Sequence, residues 1–291
     1  MTRFQEAPSP SPDEEKGGGA YVLPGTEQFL LQAEGRQQPY RIMAAAPLQE
    51  PPPQGYPVMY VLDANALFGT VVEAMRVQSR RPEKTGVHPA VIVGIGYPHN
   101  EPFDPSRFYD FTMPTSLEVL SALPVRRPGQ EVPPTGGADQ FRSFMEHRLK
   151  PRIEQDYPID RSRQSVIGHS LGGLFVLQTL LTQPHTFQTY IAGSPSIHWN
   201  KAMIAEQMKQ LSARLPLISS RLNLLITVGE LERDHPSRMC DNARELYDRL
   251  ALLSFKGLNT GFHEFEGEGH VTVLPGMVSR GLRFALGGPS S

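Results

Sequence analysis

The sequence lacks several features that mark particular classes of protein. Its single cysteine, Cys240, excludes an intramolecular disulfide and a cluster of thiolates around a metal. Lysine and arginine form no run and the formal net charge is −2, so neither nucleic acid nor an anionic membrane is expected as a partner. No apolar run approaches the roughly 18 residues that span a bilayer. The composition predicts an ordinary globular chain.

The first 20 residues contain no apolar segment of the kind found in a signal peptide. Proline, serine, glutamate and glycine dominate them, so residues 1–20 are expected to form a disordered tail. The expected location is the cytoplasm, or the periplasm if the sequence is a processed form that has lost an export signal. Residues 21–291 suffice for one α/β domain.

Short apolar runs alternate along the chain with segments of helical periodicity. This alternation predicts a mostly parallel central sheet with helices on both faces. The predicted strands are 27–31, 40–45, 58–62, 90–95, 164–167, 189–193, 222–228 and 261–265, and the predicted helices are 68–79, 138–157, 171–182, 242–254 and 277–285.

Residues 97–137 interrupt this pattern with many prolines and the polar-aromatic stretch RFYDFT at 107–112. An irregular segment of this length in one domain is usually functional or disordered. We interpret it as a lid-like insertion that contacts substrate, and a mobile insertion without a role is the alternative.

The stretch VIGHSLGG at 166–173 contains the most specific chemical signal. Ser170 lies between a predicted buried strand and an apolar helix, which is the context of a nucleophile elbow. Gly168 and Gly172 would remove Cβ atoms that collide in so tight a turn, and the Leu171 amide would face an oxyanion. Ser170 is therefore the candidate nucleophile.

A serine nucleophile requires a base and an acid, which follow it along an α/β-hydrolase chain in the order acid, then histidine. His270 is the candidate base, because it lies in a glycine-rich loop between the last strand and the last helix. Glu230 and Glu232 both follow the penultimate strand. The spacing from Gly229 favours Glu232 as the acid.

A second oxyanion donor should come from the loop after the third strand, LDAN at 62–65. The backbone amide of Asn65 is the candidate donor. Asp63 is interpreted as a structural cap of the turn.

Taken together, the motifs resemble the putative-esterase (esterase D-like) branch of the α/β-hydrolases, and within it the enterobactin and salmochelin trilactone esterases. The resemblance covers about residues 26–286 and rests on YVLDANALF, VGIGYP, RFYDFT, IGHSLGGLF, SPSIHWN, VGELE and GEGH. It implies an α/β-hydrolase fold and a serine ester hydrolase with Asn65, Ser170 and His270 in its site. In this family the acid can be weakly engaged, which leaves a Ser–His dyad open. Ala64 replaces the usual glycine, which requires a negative φ there.

The same resemblance implies a small-molecule substrate, the ester bonds of a catecholate siderophore, free or iron-loaded. No metal or cofactor of the enzyme's own is expected, since iron would arrive with the substrate. Arg107 is a candidate partner for an anionic catecholate, or else a structural partner of Asp110. Trp199 is a candidate wall for aromatic rings, or else a core residue. The alternative functions are a general carboxylesterase or acyltransferase, and a non-catalytic binding protein on the same scaffold.

Overall fold

Eight strands form one sheet in the computed structural model, which describes residues 21–121, 123, 133–218 and 221–287. The order across the sheet is β1-β2-β4-β3-β5-β6-β7-β8. Strands β3 to β8 are parallel, whereas β1 and β2 pair antiparallel with their neighbours. The strands are β1 (Thr26–Leu31), β2 (Tyr40–Ala45), β3 (Tyr56–Val61), β4 (Val91–Gly96), β5 (Ile159–His169), β6 (Thr189–Gly193), β7 (Leu222–Gly229) and β8 (Leu258–Phe265).

Ten α-helices lie between or after the strands in the described part of the chain. They are α1 (Ala64–Gln78), α2 (Pro82–Thr85), α3 (Arg107–Asp110), α4 (Leu117–Ser121), α5 (Ala138–Phe144), α6 (Lys150–Asp156), α7 (Leu171–Thr182), α8 (Lys201–Arg214), α9 (Met239–Ala251) and α10 (Leu274–Leu286). No helix among these residues has the length and apolar character needed to cross a membrane. The helix predicted over 138–157 comprises α5 and α6 joined by a π-helical turn, Met145–Leu149, just before Pro151.

Alternating side chains of the strands supply two cores, one on each face of the sheet. In β3, Val58 and Tyr60 point into one core, and Met59 and Val61 point into the other. Helices α1 and α10 cover the second core, while α5 to α9 cover the first. All four side chains are fully buried because both faces are covered. The sheet is therefore mostly parallel with helices on both faces, as the alternation predicts.

The predicted insertion at 97–137 is more regular than expected where the structure describes it. It contains α3 and α4, and Phe111 and Leu120 are buried in the main core. Residues 122 and 124–132 of the predicted insertion, like the predicted tail at 1–20, lie outside the described residues. The structure thus adds two short helices, α3 and α4, to the predicted irregular insertion, and Phe111 and Leu120 pack this segment against the domain.

Candidate active site

The carboxyl ends of the parallel strands β3, β5, β6, β7 and β8 lie at one edge of the sheet. The candidate catalytic residues lie in the turns and loops that follow these strands. The turn after β5 is the sharpest of these. Ser170 has φ 60° and ψ −116°, between the end of β5 and the first residue of α7. A Cβ on Gly168 would lie 2.5 Å from the carbonyl of Gly172, so only glycine permits so close an approach. The predicted strand–turn–helix is present.

Ser170, His270 and Glu232 form one chain of contacts. The Ser170 Oγ lies 3.1 Å from Nε2 of His270. On the other side of the ring, Nδ1 of His270 contacts Oε1 of Glu232. The imidazole thus bridges a hydroxyl and a carboxylate, which is the arrangement needed to take a proton from serine and stabilise the resulting imidazolium.

The two candidate acids have different partners. Glu232 is 2 % exposed, and its Oε2 accepts hydrogen bonds from the Gly229 amide at 2.9 Å and from the Ser194 hydroxyl at 2.7 Å. Burial alone would raise the pKa of Glu232, but the hydrogen bonds from His270, Gly229 and Ser194 outweigh it and hold the pKa below its usual value. Glu230 instead accepts the Gly267 amide at 2.9 Å.

The turn after β7 and the histidine loop pack directly on each other. The Leu231 amide donates to the Glu268 carbonyl at 2.9 Å. A Cβ on Gly229 would lie 2.4 Å from that same carbonyl oxygen. The Glu230 contact with Gly267 is a further link between these two segments. These contacts between the two segments hold the Glu232 carboxylate within contact distance of His270.

Two serines after β6 were not predicted, although they contact the same chain of groups. The segment Ser194–Pro195–Ser196 follows β6, which lies beside β5 in the sheet. Ser194, at φ 39°, donates to Glu232, and the Ser196 Oγ lies 3.2 Å from the Ser170 Oγ. The signal that could have found them is topological, since residues just after neighbouring parallel strands meet at one edge.

Two further histidines lie close to His270. The ring of His169 packs against that of His270 with centroids 4.6 Å apart. Burial, followed by the charge of His270, lowers the pKa of His169 to about 3, so His169 is neutral at physiological pH. The pKa of His198 is lowered to about 4, mainly by burial and to a smaller extent by the charge of the nearby His235. A neutral His169 adds no charge that would compete with an imidazolium at His270.

Free backbone amides complete the arrangement. The amides of Leu171 in α7 and of Ala64 and Asn65 in α1 have no acceptor within the described ranges. The Asn65 side chain accepts the Tyr97 amide at 2.9 Å and donates to the carbonyl of His99 at 2.7 Å, which anchors the start of α1. Ala64 is absent from the residues with positive φ, as the replacement of glycine there requires.

Comparison with known proteins shows which family this chain matches. A family model described as Putative esterase matches residues 34–273. The chain belongs to that family. It is an ester hydrolase, and the resemblance predicted from its motifs is confirmed.

Curated relatives and solved structures extend the match over nearly the whole chain. The ferri-bacillibactin esterase BesA of Bacillus subtilis (strain 168) is 55% identical over 276 residues, which is 94% of each protein. The siderophore enterobactin esterase of Emericella nidulans is 33% identical, over 78% of this chain and 80% of the relative. The crystal structure of the BES protein from Bacillus cereus superposes with a TM-score of 0.86 at 41% identity, covering 92% of this chain and 98% of the other. The α/β-hydrolase fold predicted from the sequence is confirmed.

In this esterase Arg107 has a different partner from either of those expected. Its guanidinium donates to both carboxylate oxygens of Asp63, from Nε at 2.8 Å and from Nη2 at 2.9 Å, and Nη2 also reaches the His169 carbonyl at 3.4 Å. Asp110 pairs with Arg36 instead. The expectation of an Arg107–Asp110 pair is wrong, and a role in catecholate binding is disfavoured because Arg107 is 9 % exposed with its charge neutralised.

The structure also shows the contacts of Asp63 and Trp199. The Asp63 side chain makes no capping hydrogen bond to α1, so the structural role is the ion pair with Arg107. Trp199 is 8 % exposed and packs against Phe108 with ring centroids 5.6 Å apart. Of the two roles predicted for Trp199, its burial favours the core residue.

Proposed function

We propose that Ser170 is the nucleophile of this esterase, His270 its general base and Glu232 the acid that orients the base. The observation that carries the proposal is the continuous contact from the Ser170 Oγ through the His270 ring to the buried Glu232. Serine is unreactive at neutral pH without such partners. The Leu171 and Asn65 amides are proposed as the oxyanion donors, since both are free amides in the first turns of α7 and α1.

The reaction would proceed in two stages. The Ser170 Oγ attacks the ester carbonyl while its proton passes to Nε2 of His270, and the oxyanion is held by the Leu171 and Asn65 amides. His270 then gives the proton to the departing alcohol oxygen. Water attacks the acyl-enzyme with the help of the same imidazole, which finally returns a proton to the Ser170 Oγ and releases the acid.

The proposed substrate class is a catecholate siderophore ester, with or without its iron. Relatives named as esterases of ferri-bacillibactin, enterobactin and apo-salmochelin support this choice. Three apolar side chains near these catalytic groups, Phe103, Leu231 and Val271, are exposed, and Phe103 stacks on the Arg107 guanidinium. Flat catechol rings would pack against such side chains. A general carboxylesterase remains the second candidate, since the fold does not select the acyl group.

The nucleophile is tested by labelling and substitution. A fluorophosphonate probe should label Ser170 alone, and Ser170→Ala should remove hydrolysis of p-nitrophenyl butyrate without changing the thermal melt. Ser165→Ala is the matched control, because Ser165 is a buried serine at the amino end of the same parallel region of β5. Labelling of another residue, or hydrolysis retained by Ser170→Ala, contradicts the proposal.

The substrate is tested by comparing kcat/KM for three compounds: enterobactin, its ferric complex and p-nitrophenyl butyrate. We expect at least one trilactone to exceed the small ester by more than about 100-fold, because remote binding energy is spent at the reacting carbonyl. Product masses would identify linear trimers and monomers. Hydrolysis of the small ester with no trilactone cleavage leaves the general carboxylesterase.

A further inference from the structure

The hydroxyl of Ser196 is buried against the nucleophile. Its side chain is 3 % exposed, and its Oγ lies 3.2 Å from the Ser170 Oγ. The Ser196 amide donates to the Ser170 carbonyl at 3.1 Å, which fixes the backbone of one serine to that of the other. A backbone hydrogen bond and the side-chain contact together hold the two hydroxyls next to each other.

The direction of this hydrogen bond follows from counting protons. The Ser170 hydroxyl has one proton, and in the reactive arrangement it is donated to Nε2 of His270 at 3.1 Å. The bond between the two serines must then use the proton of Ser196. Among the residues that the structure describes, that hydroxyl has no other hydrogen-bond partner. Ser196 is therefore the donor and the Ser170 Oγ the acceptor.

We propose that Ser196 is a catalytic hydrogen-bond donor that assists deacylation, an inference that rests on the proposed role of Ser170. In deacylation a water oxygen bonds to the acyl carbon and gives its proton to His270. The bond from that carbon to the Ser170 Oγ then breaks, and its electron pair goes to Oγ, which takes the proton from His270. Ser196 keeps its own proton and stabilises the negative charge that develops on Oγ.

The same hydrogen bond gives no advantage in acylation. There the Ser170 Oγ is the attacking atom, and it loses electron density as the new bond to carbon forms. A donor on Oγ lowers its nucleophilicity slightly and stabilises no developing charge. The proposed effect of Ser196 is therefore specific to one half of the reaction.

This asymmetry has a kinetic signature that general damage to the site does not produce. For a two-stage esterase, kcat/KM reports acylation, while slow deacylation lowers kcat and KM together. For Ser196→Ala we expect deacylation to slow by about 10- to 100-fold, since a hydrogen bond to a charged oxygen is lost. We expect kcat/KM to stay within about threefold of wild type.

The experiment uses p-nitrophenyl acetate in stopped flow. Ser196→Ala should release p-nitrophenol in a burst equal to the enzyme concentration, followed by a slow steady state. Quenched-flow mass spectrometry should show an acetyl group on Ser170 that decays at the slowed rate. Ser196→Thr, which keeps the hydroxyl, should restore the decay rate, and Ser165→Ala should show wild-type decay.

Two results overturn the inference while leaving the nucleophile intact. One is an acyl-enzyme that decays at the wild-type rate in Ser196→Ala. The other is a fall in kcat/KM as large as the fall in kcat, which would make Ser196 a structural residue only. Failure of the proposed function is separate, since an acetyl group on any residue other than Ser170 would identify it.

Discussion

Replacement of Glu232 by glutamine gives the sharpest test of the proposed catalytic groups. The change keeps the shape of the side chain and removes its charge. Glutamine has one acceptor oxygen, whereas Glu232 offers two oxygens to three donors, namely His270, Gly229 and Ser194. Either orientation of the amide therefore leaves a conflict inside a buried site.

The consequences can be worked out for each orientation. If the amide oxygen faces His270, its NH₂ group opposes the Gly229 amide, and an unsatisfied buried donor costs about 1–3 kcal/mol of stability. If the NH₂ group faces His270, the ring must carry its proton on Nε2, and it then cannot accept the proton of Ser170. Loss of the orienting carboxylate in a triad lowers kcat by about 10⁴, equivalent to about 5 kcal/mol of transition-state stabilisation. We expect Glu232→Gln to lose about 10³- to 10⁴-fold in kcat.

Glu230→Gln is the matched control, because it removes the same charge two residues away. Its glutamine oxygen can still accept the Gly267 amide, so kcat should fall by less than about fivefold. The assay is hydrolysis of p-nitrophenyl butyrate, with urea unfolding as the measure of stability. A larger loss in Glu230→Gln would transfer the acid role to Glu230, and losses below about tenfold in both variants would favour a Ser–His dyad.

Three further outcomes follow from the contacts of the site. Ser194→Ala removes a donor that helps to hold the folded pKa of Glu232 below its usual value. The stability that ionised Glu232 contributes is lost as pH falls through this folded pKa, so in the variant the acid-side fall in the free energy of urea unfolding should begin at higher pH, and an unmoved profile contradicts this. Arg107→Ala breaks the buried ion pair with Asp63, which should destabilise the fold by about 3–5 kcal/mol in urea unfolding. Its kcat/KM should fall equally for trilactone and small ester, and a selective loss would restore a role in substrate binding. Phe103→Ala should reduce kcat/KM for the trilactone by about tenfold and leave the small ester within about twofold, whereas equal effects on both would remove Phe103 from the substrate site.

Local chemistry made the candidate nucleophile, Ser170, predictable from the sequence. Residues 166–173 contain a buried strand end, a serine between glycines and the start of an apolar helix, and the closest contact that requires glycine, between Gly168 and Gly172, lies within this stretch. The alternation of apolar runs likewise predicts the parallel sheet, because both faces of each strand must be buried. His270 follows from its place after the last strand. In each case the determining residues lie close together in the chain.

The partners of buried charges depended on the tertiary structure. Glu230 and Glu232 occupy one 3-10 turn, Glu230–Glu232, where side chains two positions apart point in directions about 120° apart, so only the packed histidine loop decides which one meets His270. Arg107 finds Asp63, 44 residues earlier in the chain, through the docking of α3 over the end of β3. The contact of Ser196 with Ser170 depends on the adjacency of β5 and β6. Sequence patterns determine which elements form, whereas the register and packing of distant elements determine which polar groups come within hydrogen-bond distance.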